Sequence, residues 1–252
     1  MNVSASQVVK VRRCERAYAF EYVEDIKAPS SPKQMFGSQV HSDLEKYLKT
    51  GDSLPDTMTG KVAKAGLQWL PPPGADLLIE HYFTFPWTGA IDVIGYIDCV
   101  SPPGYSTREP LVIDHKTTSD LRWAKTPEML EVDAQAILYA LWAMLRYDVE
   151  KVRARWVYYA ATNPKNGNRV PRGTRPVEVI FDALSPIFQA RLAELDKAIK
   201  KIAVIRTFER GGLDLPPSPE ACSMYEGCFY ANICSLSPSE RLAGYMEKGK
   251  VR

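Results

Sequence analysis

The chain has 252 residues, of which 45% are hydrophobic and 25% are charged, with a formal net charge of +2. This composition is typical of a globular protein of one or two domains, and it excludes a disordered or fibrous chain. Because no run approaches 18 consecutive apolar residues and Met1 to Arg12 has no apolar signal core, we expect a cytoplasmic protein without a membrane partner.

Hydrophobic periodicity predicts helices first and strands later. The early helices cover about 4–24, 34–50 and 61–70. The middle of the chain changes to runs rich in Ile, Val and Tyr, which predict strands over about 77–85, 90–100 and 111–117. The remaining predicted elements are a helix over 132–147, strands over 151–160 and 177–181 with a turn at Asn166-Gly167, and a helix from Ser185-Pro186 to Gly211-Gly212. This order predicts an α/β protein with a mixed central sheet flanked by helices.

Acidic residues and a lysine lie on two neighbouring predicted strands. Asp114 and Lys116 are two residues apart, so they project from the same face, and Asp98 ends the preceding strand. If the strands pair, Asp98 and Asp114 converge, and two such like charges repel unless a cation lies between them. Carboxylate oxygens suit Mg²⁺ or Mn²⁺, and a nearby lysine can stabilise negative charge that develops during a reaction.

Helical spacing places further polar residues beside these strands. Gly37 and His41 are four residues apart on the second predicted helix, and Gln135 and Tyr139 are four apart on the helix that follows the third strand. Together with Asp-x-Lys, these residues resemble the RecB-type branch of the PD-(D/E)XK nucleases. The segments that carry the resemblance are His41, Gly95-Tyr96-Ile97-Asp98, Asp114-His115-Lys116 and Gln135-Ala136-Ile137-Leu138-Tyr139.

The resemblance implies a restriction-endonuclease-like core and a metal-dependent DNA exonuclease. The metal ligands that it implies for Mn²⁺ or Mg²⁺ are His41, Asp98, Asp114 and the backbone carbonyl of His115. It makes Lys116 catalytic together with Asp98 and Asp114, with the lysine acting at the attacking water, and it implies that Gln135 and Tyr139 orient the DNA. Asp92, in a second G-x-x-D, competes with Asp98 for its role, and Glu80 is either an additional metal acid or an exposed strand residue.

Three of the five cysteines lie near the end of the chain, at Cys222, Cys228 and Cys234, and Cys14 lies near its start. Such a group in an intracellular protein is more typical of metal binding than of disulfides. It resembles the iron–sulfur subgroup of the family, which includes AddB-like and CRISPR-adaptation nucleases and implies a [4Fe–4S] cluster on these four thiolates. Zinc on the same thiolates is the alternative. Residues 1–30 and 213–240 would then form a clasp, whereas Cys99 is expected to be a buried apolar residue.

The segment from Arg146 to Arg175 has eight basic residues and two acidic ones, with aromatic residues between them. This pattern indicates either a DNA-binding surface or a solvated hairpin. The residues that we expect to contact phosphates are Arg153, Arg155, Lys165, Arg169 and Arg172.

The sequence therefore predicts a single nuclease domain over 1–252, which hydrolyses phosphodiester bonds of single-stranded or end-bearing duplex DNA. The alternative is a non-catalytic subunit that binds DNA ends in a recombination or CRISPR-adaptation complex. Partner proteins from such complexes are consistent with either function.

Overall fold

A computed structural model describes residues 1–162, 170–207, 215–222 and 227–235. The chain divides into two compact units. The smaller unit comprises Met1–Pro29 and Glu194–Arg252, and the larger one comprises Ser30–Ala193. The predicted cysteine clasp, residues 1–30 and 213–240, falls within the smaller unit except for Ser30, which begins the larger unit.

The smaller unit is helical. Its described elements are β1 (Asn2–Ser4), α1 (Ala5–Arg13), α2 (Glu15–Tyr22), the last part of α7 (Pro186–Ile205), α8 (Pro219–Cys222) and α9 (Ala231–Cys234). The single helix expected over 4–24 is two helices, because Cys14 has an extended backbone and its sulfur accepts from the N–H of Ala17. Cys14 therefore ends α1 and caps α2.

The larger unit combines helices with most of the strands. Its helices are α3 (Pro32–Thr50), α4 (Met58–Lys64), α5 (Pro127–Glu131), α6 (Ala134–Tyr147) and the first part of α7, with 3₁₀ turns at Leu67–Trp69 and Leu121–Trp123. Its strands are β2 (Leu78–Thr88), β3 (Ile91–Ser101), β4 (Leu111–Thr118), β5 (Lys151–Thr162) and β6 (Val170–Asp182).

The strands of the larger unit form a mixed sheet in the order β2-β3-β4-β5-β6. β4 and β5 are parallel and the other neighbours are antiparallel. The parallel pair requires a crossover connection, which α6 supplies between β4 and β5. The predicted α/β class with a mixed sheet is confirmed.

The apolar stripe predicted for the second helix packs against the sheet. Val40, Leu44 and Leu48 of α3 are fully buried in one core cluster with Ile113 of β4 and Val157 of β5. This packing fixes α3 over the strands that carry the acidic residues. Among the described residues, no helix is long and apolar enough to cross a membrane.

Several predicted boundaries differ from the structure. The helix expected over 61–70 is α4 followed by a 3₁₀ turn, and the helix expected from 132 begins at Ala134, because Asp133 caps it by accepting from the N–H groups of Gln135 and Ala136. The strand expected over 177–181 is the longer β6, an edge strand that tolerates Pro171 and Pro176. The expected turn at 166–167 and the helix end at 211–212 lie outside the described residues.

Candidate nuclease site

The acidic residues meet where β3 and β4 stop pairing. The antiparallel ladder joins Cys99 to Ile113 and ends there. One residue further along, the carboxylate of Asp98 accepts a hydrogen bond of 2.6 Å from the backbone N–H of His115. A side chain thus replaces the next bond of the ladder and holds Asp98 beside the strand that carries Asp114.

Asp114 and Lys116 share one face of β4, as their spacing predicts. The Lys116 Nζ atom lies 2.5 Å from Asp114 Oδ2, and the side chain of Asp114 is 1% exposed, whereas that of Lys116 is 36% exposed. The lysine therefore reaches from a buried carboxylate to the surface, where a substrate can contact it.

His41 enters the site from α3. The helix begins at a capping box formed by Ser31 and Gln34, and a left-handed Gly51 ends it. Gly37 lets it approach β4 closely, because a Cβ atom there would lie 2.8 Å from the hydroxyl oxygen of Thr117. One turn later, His41 Nδ1 lies 3.5 Å from Asp98 Oδ2.

Glu80 completes a group of possible metal ligands. His41, Glu80 and Asp98 each offer a ligand atom, and these atoms all lie within 4.8 Å of one another. Glu80 has a φ of 48°, which is rare for a residue other than glycine and often marks a functional site. Asp92, in contrast, lies opposite Pro86 at the other end of β3. The geometry thus brings Glu80 and Asp98 to the site and leaves Asp92 away from it.

The acidic groups perturb one another's ionisation. Burial, followed by the negative charge of Asp98, raises the pKa of Glu80 to about 7. Burial also raises the pKa of Asp114 to about 6, although Lys116 opposes this shift. Burial disfavours the charged form of Asp98 too, but the hydrogen bond from His41 and the interactions with His115 outweigh it and lower its pKa to about 2. Burial is the main cause of both raised values and the charge of Asp98 adds to that of Glu80, so a cation bound beside these acids would favour their ionised forms.

Gln135, at the start of α6, links the lysine to the acid. Its Oε1 atom accepts from Lys116 Nζ at 3.1 Å, and its Nε2 atom donates to Asp114 Oδ1 at 2.8 Å. Nε2 also contacts the Tyr139 hydroxyl, which donates to the backbone carbonyl of Tyr96. Tyr139 is 5% exposed. Any effect of Tyr139 on DNA would therefore pass through Gln135 or Tyr96.

The side chain of His115 points into the core. Burial lowers its pKa to about 4, so its imidazole is neutral near pH 7. Its Nδ1 atom lies 3.3 Å from the Tyr159 hydroxyl, and its Nε2 atom has no hydrogen bond within the described part of the chain. The imidazole is thus a core group, and the backbone carbonyl is what His115 could offer to a cation.

The donor set suits a divalent cation. Carboxylate oxygens are ligands for both Mg²⁺ and Mn²⁺, and an imidazole nitrogen favours Mn²⁺. The buried Oδ2 atom of Asp114 has an ion contact with Lys116 but no hydrogen bond in the described ranges. An open groove of about 720 Å³ runs beside these groups, with Gly37, His41, Glu80 and Lys116 in its lining. A cation and a phosphate group have access to the site through this groove.

The residues expected to contact phosphates differ in exposure and in their contacts within the protein. Arg153 forms ion pairs with Glu109 and Glu178, and Arg155 pairs with Glu178 and donates to a backbone carbonyl. Their charges are thus compensated within the protein. Arg172 donates to Thr162 at 3.2 Å and is exposed. Lys165 and Arg169 lie outside the described residues.

Four cysteines come together in the smaller unit. Cys14 belongs to a buried cluster with Phe20 and Tyr230, and Cys228 and Cys234 pack against that cluster. Burial raises the pKa of Cys222, and the neighbouring Cys228, Cys234 and Cys14 raise it further. Cys99 is fully buried in the core of the other unit, as expected for an apolar role.

The fold and the site define a class of protein. A mixed α/β domain with Asp98 on one antiparallel strand and Asp114 and Lys116 on the next has the carboxylate–lysine site of PD-(D/E)XK proteins. The family model for the PD-(D/E)XK nuclease superfamily matches residues 2–70 and 70–235. The chain therefore belongs to the PD-(D/E)XK nuclease superfamily.

Other similarities are distant. The chain resembles a solved structure described as "Crystal structure of SSO0001", with 14% sequence identity and a TM-score of 0.44. That match covers 80% of this chain and 76% of the other. No curated protein is detectably similar to this sequence.

The sequence alone leaves the role of Glu80 open. Glu80 precedes the motif and has no fixed spacing from it, so the sequence gives no preference between an exposed strand residue and a metal acid. The register that sets residue 80 opposite residue 98 is the signal that brings it to the site, and that register follows from the pairs Ile79 with Cys99 and His81 with Ile97.

Proposed function

We propose that this chain is a metal-dependent DNA exonuclease of the RecB-type branch, which hydrolyses phosphodiester bonds at or near strand ends. The observation that carries the proposal is the convergence of His41, Glu80 and Asp98 beside the Asp114–Lys116 pair. A structural salt bridge would need no histidine and no third acid, whereas a hydrolytic site needs several oxygen ligands and a cationic group that a substrate can reach.

His41, Glu80 and Asp98 would hold the cation, with Asp114 and the carbonyl of His115 as neighbouring oxygen donors. When bound, a divalent cation stabilises negative charge on a phosphate and makes water more acidic. Lys116 supplies a second positive charge at the open side of the site. Burial opposes its charged form, but Asp114 and the other acids raise its pKa, so Lys116 is protonated near pH 7.

Lys116 would act by electrostatic stabilisation. Water attacks the phosphorus atom and gives up a proton to solvent, a new P–O bond forms, and the bond to the leaving sugar oxygen breaks as that oxygen takes a proton from solvent. The equatorial oxygens gain negative charge as this happens. The Nζ atom is held by Asp114 and Gln135 before substrate arrives, so little reorganisation is needed when that charge develops. Gln135 is thus a positioning residue for the lysine.

We also propose that Cys14, Cys222, Cys228 and Cys234 bind a [4Fe–4S] cluster. The donor set fits, because four thiolates are the usual ligands of such a cluster and the four cysteines lie in one unit. A cluster there would join the first helices to the end of the chain. By loop-closure arguments such a link contributes on the order of 5 kcal/mol. Structural zinc on the same thiolates is the competing assignment.

The experiment that tests the nuclease is an assay on end-labelled DNA. We expect the anaerobically purified wild-type protein to release short products from single strands or duplex ends with Mn²⁺ or Mg²⁺, and none in excess chelator. DNA binding without product under any of these metals would contradict the proposal and favour a non-catalytic subunit that binds DNA ends.

A further inference from the structure

Two tyrosines, Tyr82 on β2 and Tyr96 on β3, lie close in sequence to the acidic residues of the candidate site, Glu80 and Asp98. Tyr82 and Tyr96 are direct partners across β2 and β3, and their ring centroids lie 5.2 Å apart with an interplanar angle of 56°. Side chains alternate along a strand, so Tyr96 projects from the same face of β3 as Asp98. Two residues of a strand span about 7 Å, which is within reach of a nucleotide whose phosphate lies at the acidic group.

Both rings are available to a ligand. Tyr82 is 45% exposed and Tyr96 is 60% exposed, although Phe83 and Ile97 beside them are buried on the opposite face. Exposed aromatic residues are common singly, but here two lie together, and each is two residues from an acidic residue of the candidate site, Glu80 or Asp98.

The backbone under the rings is held in place. The Tyr139 hydroxyl donates to the Tyr96 carbonyl, and Gly95 lies so close to the Phe83 ring that a Cβ atom there would be 2.7 Å away. The tyrosine pair is thereby connected, through Tyr139 and Gln135, to Asp114 and Lys116. A base bound at the pair would have a fixed position relative to the reacting phosphate.

We propose that Tyr82 and Tyr96 form a stacking platform for unpaired bases of the DNA strand that is cleaved. This inference rests on the proposed function and makes single-stranded DNA, or the frayed end of a duplex, the preferred substrate. Every base has a π-face, so stacking on aromatic rings binds unpaired DNA of any sequence. In an intact duplex those faces are covered by neighbouring bases, and only the base edges are accessible in the grooves.

The test compares two double variants at the platform. Tyr82→Leu/Tyr96→Leu keeps apolar bulk but removes the aromatic faces, whereas Tyr82→Phe/Tyr96→Phe keeps the rings and removes only the hydroxyl groups. Binding to a fluorescent oligothymidylate and to a blunt duplex of the same length is measured by anisotropy, with Ca²⁺ replacing Mn²⁺ to limit cleavage. Thermal unfolding and size-exclusion chromatography show whether each variant keeps the fold and oligomeric state.

We expect the leucine variant to bind the single strand at least about fivefold more weakly, since each stacked base contributes roughly 5- to 150-fold to affinity. The phenylalanine variant should stay within about twofold of wild type, and duplex binding should change little in either. Equal losses for both DNAs, or no loss in the leucine variant, would overturn the platform. A changed oligomeric state with unchanged DNA affinity would overturn it in favour of a contact between copies.

This experiment tests the platform and the proposed nuclease activity independently. If the wild-type protein cuts DNA but the leucine variant keeps the wild-type preference between single strands and duplex, the platform is wrong and the nuclease stands. If the tyrosines bind single strands but no metal supports cleavage, the proposed nuclease is wrong and the platform stands.

Discussion

The acidic site and the cysteine cluster are assembled in different ways. The acidic site is built on neighbouring strands, and hydrogen bonds within the protein already hold Asp98, Asp114 and Lys116. The cysteines come from both ends of the chain, and the two C-terminal helices beside them, α8 and α9, have four residues each. Helices this short are not stable alone. The sheet therefore preorganises one site without a ligand, whereas we expect the other to depend on one.

The largest effect should come from the acid that the sheet positions. Asp98→Asn keeps an oxygen that can accept from the His115 N–H but removes the negative charge, so we expect Mn²⁺-dependent cleavage to fall by about a thousandfold. Asp92→Asn is the matched control, because Asp92 lies on the same strand in the rival motif. Steady-state cleavage of end-labelled DNA measures both. Similar rates for the two variants would contradict the assignment of Asp98.

Substitution of a cysteine in the cluster should affect the stability and the colour of the protein. We expect Cys228→Ala to lose the brown colour and broad visible absorbance of an iron–sulfur protein, and to unfold at a lower temperature, because its short C-terminal helices lose their link to α1 and α2. Cys99→Ala, in the core of the larger unit, should keep the colour. A colourless wild-type protein with one zinc per chain would rule out the iron–sulfur cluster and support zinc.

Substitution of His41 tests whether this residue binds the metal and favours Mn²⁺ over Mg²⁺. Its imidazole favours Mn²⁺ over Mg²⁺, so His41→Ala should reduce the Mn²⁺ reaction roughly tenfold more than the Mg²⁺ reaction. His81→Ala is the control, because the His81 ring packs at a tilted angle against Trp142, and it should affect both metals equally. Cleavage rates with each metal decide the matter. Equal fractional losses in His41→Ala would mean that His41 does not bind the metal.

The smallest effect concerns a contact that supports the cysteine cluster. Tyr230, between Cys228 and Cys234, donates to Glu21 at 2.9 Å, and Lys10 lies 2.6 Å from the same carboxylate. Burial disfavours ionised Glu21, but Lys10 and Tyr230 outweigh it and lower its pKa. The stabilisation is therefore present above the unfolded pKa of about 4.3 and is lost as pH falls through the lower folded value.

We accordingly expect Glu21→Gln to reduce the free energy of unfolding by about 1 kcal/mol at pH 7. The difference between variant and wild type should be smaller at pH 3 than at pH 7, because falling pH protonates Glu21 and removes the charge that the variant lacks. Urea unfolding at the two pH values measures it. A constant difference would show that the charge of Glu21 contributes nothing.

The parts of the site that sequence predicts are those set by local periodicity. The two-residue spacing of Asp114 and Lys116 and the helical spacing of Gln135 and Tyr139 suffice to place each pair on one face. The role of Glu80 required strand register, and its left-handed backbone is invisible in the sequence. The ion pairs of Arg153 and Arg155 with Glu178 likewise depend on the pairing of β5 with β6.

The fold shows the same division between local and long-range information. The strands and the crossover helix follow from the change of period along the chain, so the mixed α/β class was predictable. The break between α1 and α2 was not, because a thiol that caps a helix has no sequence signal comparable to that of Ser31 at the start of α3.

The most direct test of the nuclease is the lysine that the acids and Gln135 hold. Lys116→Ala removes the positive charge at the open side of the site, and DNA binding in Ca²⁺ reports separately on whether the variant still binds its substrate. We predict near-normal folding and DNA affinity with cleavage in Mn²⁺ reduced about a hundredfold. Lys151→Ala, which removes an exposed lysine paired with Asp182, should cleave like wild type. Undiminished cleavage by Lys116→Ala would contradict the central claim.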